Sequence, residues 1–393
     1  MTTFKTLPLE DCMAAIIDYR GKSPTKTAFG IPLVTAKIIK GGRIEPAEEF
    51  IAEADYENWM SRGLPREGDV VLTTEAPLGE VAQLDGSKVA LAQRVITLRG
   101  RPGLMDQNFL RYLLQSEPVQ SELRSRATGT TVLGIRQSEL RKVPLSFPEF
   151  EQQVATGALL RSIDDKIELN RRVVQTLEAI AQAIFKSWFL DSDHDWPIDD
   201  WQSLPLDSVA EFLNGLALQK YPAAEGEESM PVIKIAQLRA GHTKAADRAN
   251  LSVPEPYVIN DGDLLFSWSG SLEVDFWCGG KGALNQHLFK VTSSVVPDWY
   301  AYLWTKHHLP EFRAIAANKA TTMGHIQRKH LTAAQVLLPS PPILEAMRTV
   351  MKPIFSELIR CRLEARTLAE LRDELLPRLM SGELTPELEM VAP

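Results

Sequence analysis

Ile163-Asp164-Asp165-Lys166-Ile167-Glu168-Leu169-Asn170-Arg171-Arg172-Val173-Val174-Gln175-Thr176-Leu177-Glu178-Ala179-Ile180-Ala181-Gln182-Ala183-Ile184-Phe185-Lys186-Ser187-Trp188 is the stretch on which the fold turns. Within it Ile163, Ile167, Asn170, Val174, Leu177, Ala181, Ile184 and Trp188 recur at alternating steps of four and three, which keeps one seam on one side of a helix. Adding 191 to each number gives Ile354, Leu358, Cys361, Ala365, Leu368, Arg372, Leu375 and Leu379, apolar or small at every place except Arg372. Two seams of equal length on one chain can bury each other. The pattern therefore predicts two lobes around a shared helical spine. Asn170 is either a buried polar residue that fixes register or a solvated break in the seam.

The repeat extends upstream of both helices. Leu7-Pro8-Leu9-Glu10 is echoed by Leu204-Pro205-Leu206-Asp207, and Ile31-Pro32-Leu33-Val34 by Met230-Pro231-Val232-Ile233. Gly68-Asp69-Val70-Val71-Leu72 matches Gly262-Asp263-Leu264-Leu265-Phe266, and Ala90-Leu91-Ala92-Gln93 matches Ala283-Leu284-Asn285-Gln286. Thr130-Thr131, Gly134, Ile135 and Leu140 are answered by Thr321-Thr322, Gly324, Ile326 and Leu331. A period this long means a duplicated domain rather than a solenoid.

Local signals place short strands near 69–73, 89–99, 263–268 and 287–292, with amphipathic helices near 108–120 and 299–315. Proline-bearing strands at 143–147 and 335–338 lead into the long helices, and Pro148 and Pro341-Pro342 sit where a helix begins. The first long helix is expected over 149–190, roughly 60 Å at 1.5 Å per residue. An acidic stretch with Asp191, Asp193, Asp195, Pro197, Asp199 and Asp200 should break it, and the tail after Ser381-Gly382 should be loose. The fold class expected is α+β: two duplicated mixed domains, 1–148 and 193–340, joined by two long antiparallel coiled-coil helices, 149–192 and 341–385, with a tail at 386–393.

Composition is that of an ordinary soluble chain: 393 residues, 44% hydrophobic and 24% charged, enough for two cores. No stretch approaches the roughly 18 apolar residues of a membrane span. Met1-Thr2-Thr3-Phe4-Lys5 lacks the apolar run of a signal peptide. Cys12, Cys278 and Cys361 have neither metal spacing nor even pairing, so buried, reduced thiols in a cytoplasm are expected. The net charge of −8 argues against a strongly basic nucleic-acid binder. Its distribution changes that reading. Residues 1–150 are net zero and 201–340 net −1, whereas 151–200 carry −5. A near-neutral lobe can still present a basic face. All seven histidines fall at or beyond His194, so the two copies differ in surface chemistry.

Catalytic signatures are missing. There is no Gly-x-Gly-x-x-Gly and no Gly-Lys-Ser/Thr loop. Ser340-Pro341-Pro342-Ile343 superficially matches the Asn/Asp-Pro-Pro-aromatic motif of amino-methyltransferases, but it lacks the leading amide or acid and the closing aromatic, and reads as a helix start. Asp164-Asp165, neighbouring a seam residue, reads as a solvated face rather than an acid/base pair. No metal ligand set and no catalytic residue is assigned. The chain reads as a binder.

The segment from Ser162 to Arg172 followed by Leu177-Glu178-Ala179-Ile180-Ala181-Gln182-Ala183-Ile184-Phe185-Lys186-Ser187-Trp188-Phe189 closely resembles the central helix of type I restriction–modification specificity subunits. Leu371-Arg372-Asp373-Glu374-Leu375-Leu376-Pro377-Arg378-Leu379-Met380-Ser381-Gly382-Glu383-Leu384 is similar to their C-terminal helix. The resemblance covers essentially the whole chain and includes Ala283-Leu284-Asn285-Gln286-His287. The copies depart from each other at Ala92 against Asn285 and in the 129–134 loop. It implies that each lobe is a target-recognition domain for one part of a split, asymmetric double-stranded DNA sequence, with the helix pair setting the spacer. It also implies two modification subunits that hold S-adenosylmethionine and methylate adenine, and restriction subunits that use ATP and Mg. No cofactor is expected on this chain itself.

Direct readout calls for polar and basic side chains on loops at groove edges. In the first lobe the candidates are Arg20, Lys22 and Lys26, then Lys37, Lys40 and Arg43, and Arg126, Thr128, Thr130, Thr131 and Arg136. In the second they are Lys220, Lys234, Gln237, Arg239 and His242, with Lys319, Thr321, Thr322, His325, Gln327 and Arg328. Trp268 is either a base or sugar contact or, the favoured reading, a core residue at a strand end. The alternative to DNA reading is a non-catalytic protein-binding scaffold with the same spine. A lone enzyme of unfamiliar type is the third reading.

Overall fold

The computed structural model describes residues 3–21, 23–191, 200–318 and 324–386. The chain forms two units, Met1–Asp165 with Leu368–Pro393, and Lys166–Thr367. Two helices of 40 residues each, Phe150–Phe189 and Pro341–Met380, contribute one part to each unit. Pro341-Pro342 opens the second, where a missing N–H costs nothing because the first turn has no intrahelical acceptor to supply.

In unit 1 the strand Lys5–Pro8 pairs antiparallel with Pro144–Phe147, the segment that leads into the long helix. An antiparallel sheet follows in the spatial order Met13–Asp18, Val95–Gly100, Val70–Thr74, Leu78–Gln83. Unit 2 repeats both. Gln202–Pro205 pairs with Gln335–Leu338, and the sheet runs Glu211–Asn214, Leu288–Thr292, Leu264–Ser267, Val274–Phe276. A second sheet in each unit carries a parallel pair, Ala90–Leu91 on Ile31–Val34 and Gly282–Leu284 on Ser229–Ile233.

The parallel pairs explain a difference from the expected strand over 89–99. The chain leaves Ala90–Leu91, turns, and re-enters the antiparallel sheet as Val95–Gly100. The Ala92 N–H donates to Val34 O at 3.0 Å and the Val95 N–H to Ala92 O at 3.2 Å, so the turn carries the chain from one sheet to the other. Asn285 N–H to Ile233 O at 3.2 Å and Leu288 N–H to Asn285 O at 2.9 Å build the same corner in unit 2. The Ala-Leu-x-Gln echo is therefore the sequence of a sheet corner. The expected helix over 108–120 is two helices, Gln107–Gln115 and Glu117–Ser125, broken at an extended Ser116 with proline in the next first turn. Its counterpart runs unbroken from Asp298 to Asn318 despite Pro310.

Leu160 from the first long helix and Leu379 and Met380 from the second pack with Phe109, Tyr112 and Phe147 in the core of unit 1. Phe185, Trp188 and Phe189 pack with Tyr300, Trp304, Met351 and Phe355 in unit 2. Each such side chain contributes about 1.5–3 kcal/mol on burial. Gly157 lets the first long helix approach closely, since a Cβ there would lie 2.6 Å from the Phe109 nitrogen. None of the sixteen seam residues is exposed: Ile163, Ile167, Asn170, Ala181, Trp188, Leu358, Cys361 and Leu379 are buried, and Val174, Leu177, Ile184, Ile354, Ala365, Leu368, Arg372 and Leu375 are half-buried.

Asn170 is 2% exposed and its amide donates to Glu364 at 3.0 Å, so it is a buried polar residue of the seam. The reading of Asp164 as solvated is corrected. Its carboxylate accepts from Arg111 at 2.6 Å, from Tyr112 Oη at 2.8 Å and from Arg372 at 2.8 Å. A carboxylate beside the seam faces guanidinium groups brought by two other helices, and Arg372 breaks the apolar pattern because it answers that charge. Asp165 does remain exposed. In unit 2 Arg362 makes the matching network, to Glu178 at 2.8 Å and Asp275 at 2.6 Å.

Cys12, Cys278 and Cys361 are buried and free. Burial, reinforced by Asp11, pushes the Cys12 thiol up to about 11, and burial pushes Cys278 to about 11. A loose tail immediately past Gly382 is also corrected: the Leu384 N–H donates to Arg378 O at 3.0 Å and its side chain packs on the core of unit 1. Asp193, Asp195, Pro197 and Asp199 of the acidic break, and residues 387–393, lie outside the described residues.

Candidate nucleic-acid interface

Each unit gathers polar groups where the antiparallel sheet ends and the sheet corner begins. In unit 1 the Ile135 N–H donates to Thr74 O at 3.0 Å, and the Thr74 N–H to Arg94 O at 2.9 Å. Thr128 and Gly134 exchange two backbone hydrogen bonds, at 2.8 and 2.9 Å, which staple the intervening loop. Gly129 closes it at φ +118°, and a Cβ there would lie 2.1 Å from Val132 O. The Arg20 guanidinium donates to Ile135 O at 2.8 Å and ties a third segment to the same place. The result is a cleft of about 370 Å³ lined by Arg20, Thr74, Glu75, Gln93, Arg94, Thr128, Val132, Gly134, Ile135 and Arg136.

Unit 2 uses the same frame with different side chains. The Ile326 N–H donates to Trp268 O at 3.0 Å, and the Trp268 N–H to His287 O at 3.3 Å. Trp268 thus stands where unit 1 has Thr74, and His287 where it has Arg94. Ser269 bridges His325 as Glu75 bridges Gly134, so the counterpart of Gly134 is His325, not Gly324. The Trp268 indole donates to Asn214 Oδ1 at 2.9 Å, and its ring lies 5.9 Å from His287 and edge-on 6.1 Å from His325. Ser269 Oγ and His287 Nδ1 are 2.9 Å apart, and Asn285 Nδ2 donates to Gln286 Oε1 at 2.7 Å. Trp268 is half-buried and packs against the core at the strand end, beside His287 and His325.

The basic candidates sort by whether the fold already supplies an acid. Lys26 pairs with Glu49 at 2.8 Å, Lys37 with Glu48 at 2.5 Å, Arg126 with Glu122 at 3.0 Å, and Lys234 with Asp247. Arg20, Lys40, Arg136, Lys220, Arg239 and Arg328 make no salt bridge among the described residues, although Glu48 and Glu139 lie near enough to feel Lys40 and Arg136. Their charges add to the local positive potential, the term that attracts phosphate. Lys40 and Arg43 face each other across the hairpin Ile39–Lys40 with Arg43–Ile44. Gln237 is used locally, accepting from the Lys234 N–H at 3.2 Å, and His242 accepts from the Lys244 N–H at 3.3 Å. Arg328 donates to Phe212 O at 3.0 Å, while Gln327, Thr130 and Thr131 are exposed on their loops. Lys22, Lys319, Thr321 and Thr322 lie outside the described residues.

Of the candidates in unit 1, the structure brings Arg20, Thr128 and Arg136 into one cleft and leaves Lys26, Lys40 and Arg43 on other strands and Lys37 in a short 3-10 turn. Sequence reasoning missed Glu75, Gln93 and Arg94 there, and Asn214, Ser269, Gln286 and His287 in unit 2. The signal was available in the Ala-Leu-x-Gln echo, whose last residue and its successor stand at the corner in both units. Among the described residues no group of three or more His, Cys, Asp or Glu is placed to hold a metal ion, and no helix is long and apolar enough to cross a membrane.

A family model described as type I restriction modification DNA specificity domain matches residues 23–179. The chain is similar to the MjaIX specificity subunit of a type I restriction enzyme from Methanocaldococcus jannaschii, at 23% identity over 381 residues that cover 91% of this chain and 87% of that protein. It matches the EcoBI specificity subunit of Escherichia coli at 28% identity over 197 residues, 48% of this chain and 40% of that protein. Its fold is similar to that of the crystal structure of a type I restriction-modification system S subunit from M. genitalium, with a TM-score of 0.60 at 15% identity over 96% of both chains.

Proposed function

We propose that the chain, like the type I restriction enzyme specificity subunits it is similar to, is a non-catalytic component that recognises a DNA target, and that each unit reads one part of a split, asymmetric sequence. One observation carries the proposal. The same backbone corner recurs in both units, and its side chains differ: Arg94, Glu75 and Thr74 in one, His287, Ser269 and Trp268 in the other. A duplicated frame with diverged tips suits two half-sites of different sequence. Arginine favours the O6 and N7 acceptors of guanine, and glutamine the N6 and N7 edge of adenine. Arg20, Lys40, Arg136, Lys220, Arg239 and Arg328 supply sequence-independent phosphate contacts, each steepening the salt dependence of affinity by about 0.9 in log–log slope.

The partners proposed are two modification subunits, which hold S-adenosylmethionine and methylate adenine, and restriction subunits that consume ATP with Mg. Docking of these partners is expected on the exposed sides of the two long helices. The test is to co-express the chain with its modification subunit and sequence the methylated adenines in host DNA. Methylation at a single split motif is expected. A stable complex with no methylated motif would favour the protein-binding scaffold instead.

A further inference from the structure

Two aliphatic side chains stand exposed at the rim of the unit 1 cleft. Val132 is 48% and Leu133 46% exposed, at the tip of the loop that Thr128 and Gly134 staple. An apolar pair on a mobile loop would collapse onto the surface. Here the staple, the Gly129 closure and the Arg20 tether to Ile135 fix the backbone on both sides of the tip. The surroundings are cationic: Val132 shares the cleft with Arg20, Arg94 and Arg136, against one carboxylate, Glu75, which lies 3.7 Å from Arg94.

We propose that Val132 and Leu133 form an apolar wedge that enters duplex DNA at a base step and partly unstacks it, while Arg20 and Arg136 hold the flanking phosphates. The charge pattern selects this occupant. A duplex offers an apolar stack between two phosphate rails, which suits an aliphatic pair sharing its cleft with three arginines. Aliphatic wedges of this kind kink DNA by about 20–90° and lengthen the protein surface it can follow. The wedge adds an indirect component to readout, because flexible pyrimidine–purine steps unstack at lowest cost. Specificity would then extend to a step that no polar side chain touches.

The proposal rests on DNA reading, and one experiment separates the two. The full chain, assembled with its modification subunits, is bound to a duplex carrying the methylated motif, with end-attached fluorophores for bending and 2-aminopurine placed at successive steps. Wild type should bend the duplex and raise 2-aminopurine emission at one step of a single half-site. Val132→Ser with Leu133→Ser should abolish both signals and weaken binding about tenfold, with the salt slope unchanged because the phosphate contacts remain. Leu133→Met should retain them. Arg136→Ala should instead lower the salt slope by about one phosphate contact. Specific binding by wild type with no unstacking, or an unchanged bend in the double serine variant, would overturn the wedge and leave DNA reading intact. Absence of sequence-specific binding by wild type would overturn both.

Discussion

The two units share a backbone and differ in what they place on it. Both run a strand onto the segment before a long helix, both build a four-stranded antiparallel sheet, and both turn a sheet corner at an Ala-Leu-x-Gln sequence. At that corner unit 1 carries arginines and a carboxylate, and unit 2 carries an indole, two imidazoles and a hydroxyl. Their spine contacts differ as well. Asp164 in unit 1 gathers Arg111, Tyr112 and Arg372 around one carboxylate, whereas Arg362 in unit 2 is shared between Glu178 and Asp275. Duplication thus preserves the hydrogen-bonded frame, where every change costs stability. The side chains at the tips of that frame differ between the units.

The ion networks give the widest separation. Asp164→Ala leaves the nearly buried Arg111 and Arg372 without that carboxylate, and should cost about 3–5 kcal/mol in urea unfolding. Glu178→Ala should cost less, about 1–2 kcal/mol, because Arg362 keeps Asp275. Equal losses would show that the two networks are not organised differently.

Packing under the long helices separates the units next. Gly157 admits the close approach of the Phe109 backbone, so Gly157→Ala should cost about 1–3 kcal/mol through overpacking. The repeat-equivalent position in the second helix is exposed Arg348, beside an open cleft of about 1020 Å³, and Arg348→Ala should stay within about 0.5 kcal/mol. Thermal melts of the two variants check the contrast.

At the corners the expected effect is on sequence choice. Arg94→Ala and His287→Ala should each relax one half of the methylated motif by about 1–3 kcal/mol of discrimination and leave the other half unchanged. Methylation profiling of the two variants reads this directly. Loss of both halves in either variant would show that the corners act jointly.

The smallest contrast is the one between thiols. Cys12 and Cys278 lie in different units, yet burial pushes both to about 11, so at pH 8 roughly one thiol in a thousand is ionised. Both should resist alkylation equally until the protein unfolds, as mass spectrometry of iodoacetamide-treated samples would show. Rapid labelling of either in the native protein would contradict its burial.

The long helices were legible because the heptad is local: the expected 149–190 became Phe150–Phe189. Asp164 was misread because its partners Arg111 and Arg372 lie 53 and 208 residues away, and periodicity says only that it neighbours the seam. Asn170 was left open for the same reason until Glu364 was seen opposite it. The strand read over 89–99 failed where Val34, from a distant strand, accepts the Ala92 N–H and turns the chain. Among the contact candidates, residue type alone does not distinguish Lys37, hydrogen-bonded to Glu48, from Lys40, which makes no salt bridge among the described residues. Arg94 and His287 directly follow the Ala-Leu-x-Gln echo, but what joins them to the loops at 128–136 and 324–328 is a set of long-range hydrogen bonds through Thr74 and Trp268 that the echo alone does not reveal.

The central claim is that each unit reads its own half of the target. Its most direct test replaces residues 201–340 by the corresponding segment of a relative with a different target and sequences methylated adenines in the host. One half of the motif should change and the other should persist. A motif altered in both halves, or in neither, would contradict the claim.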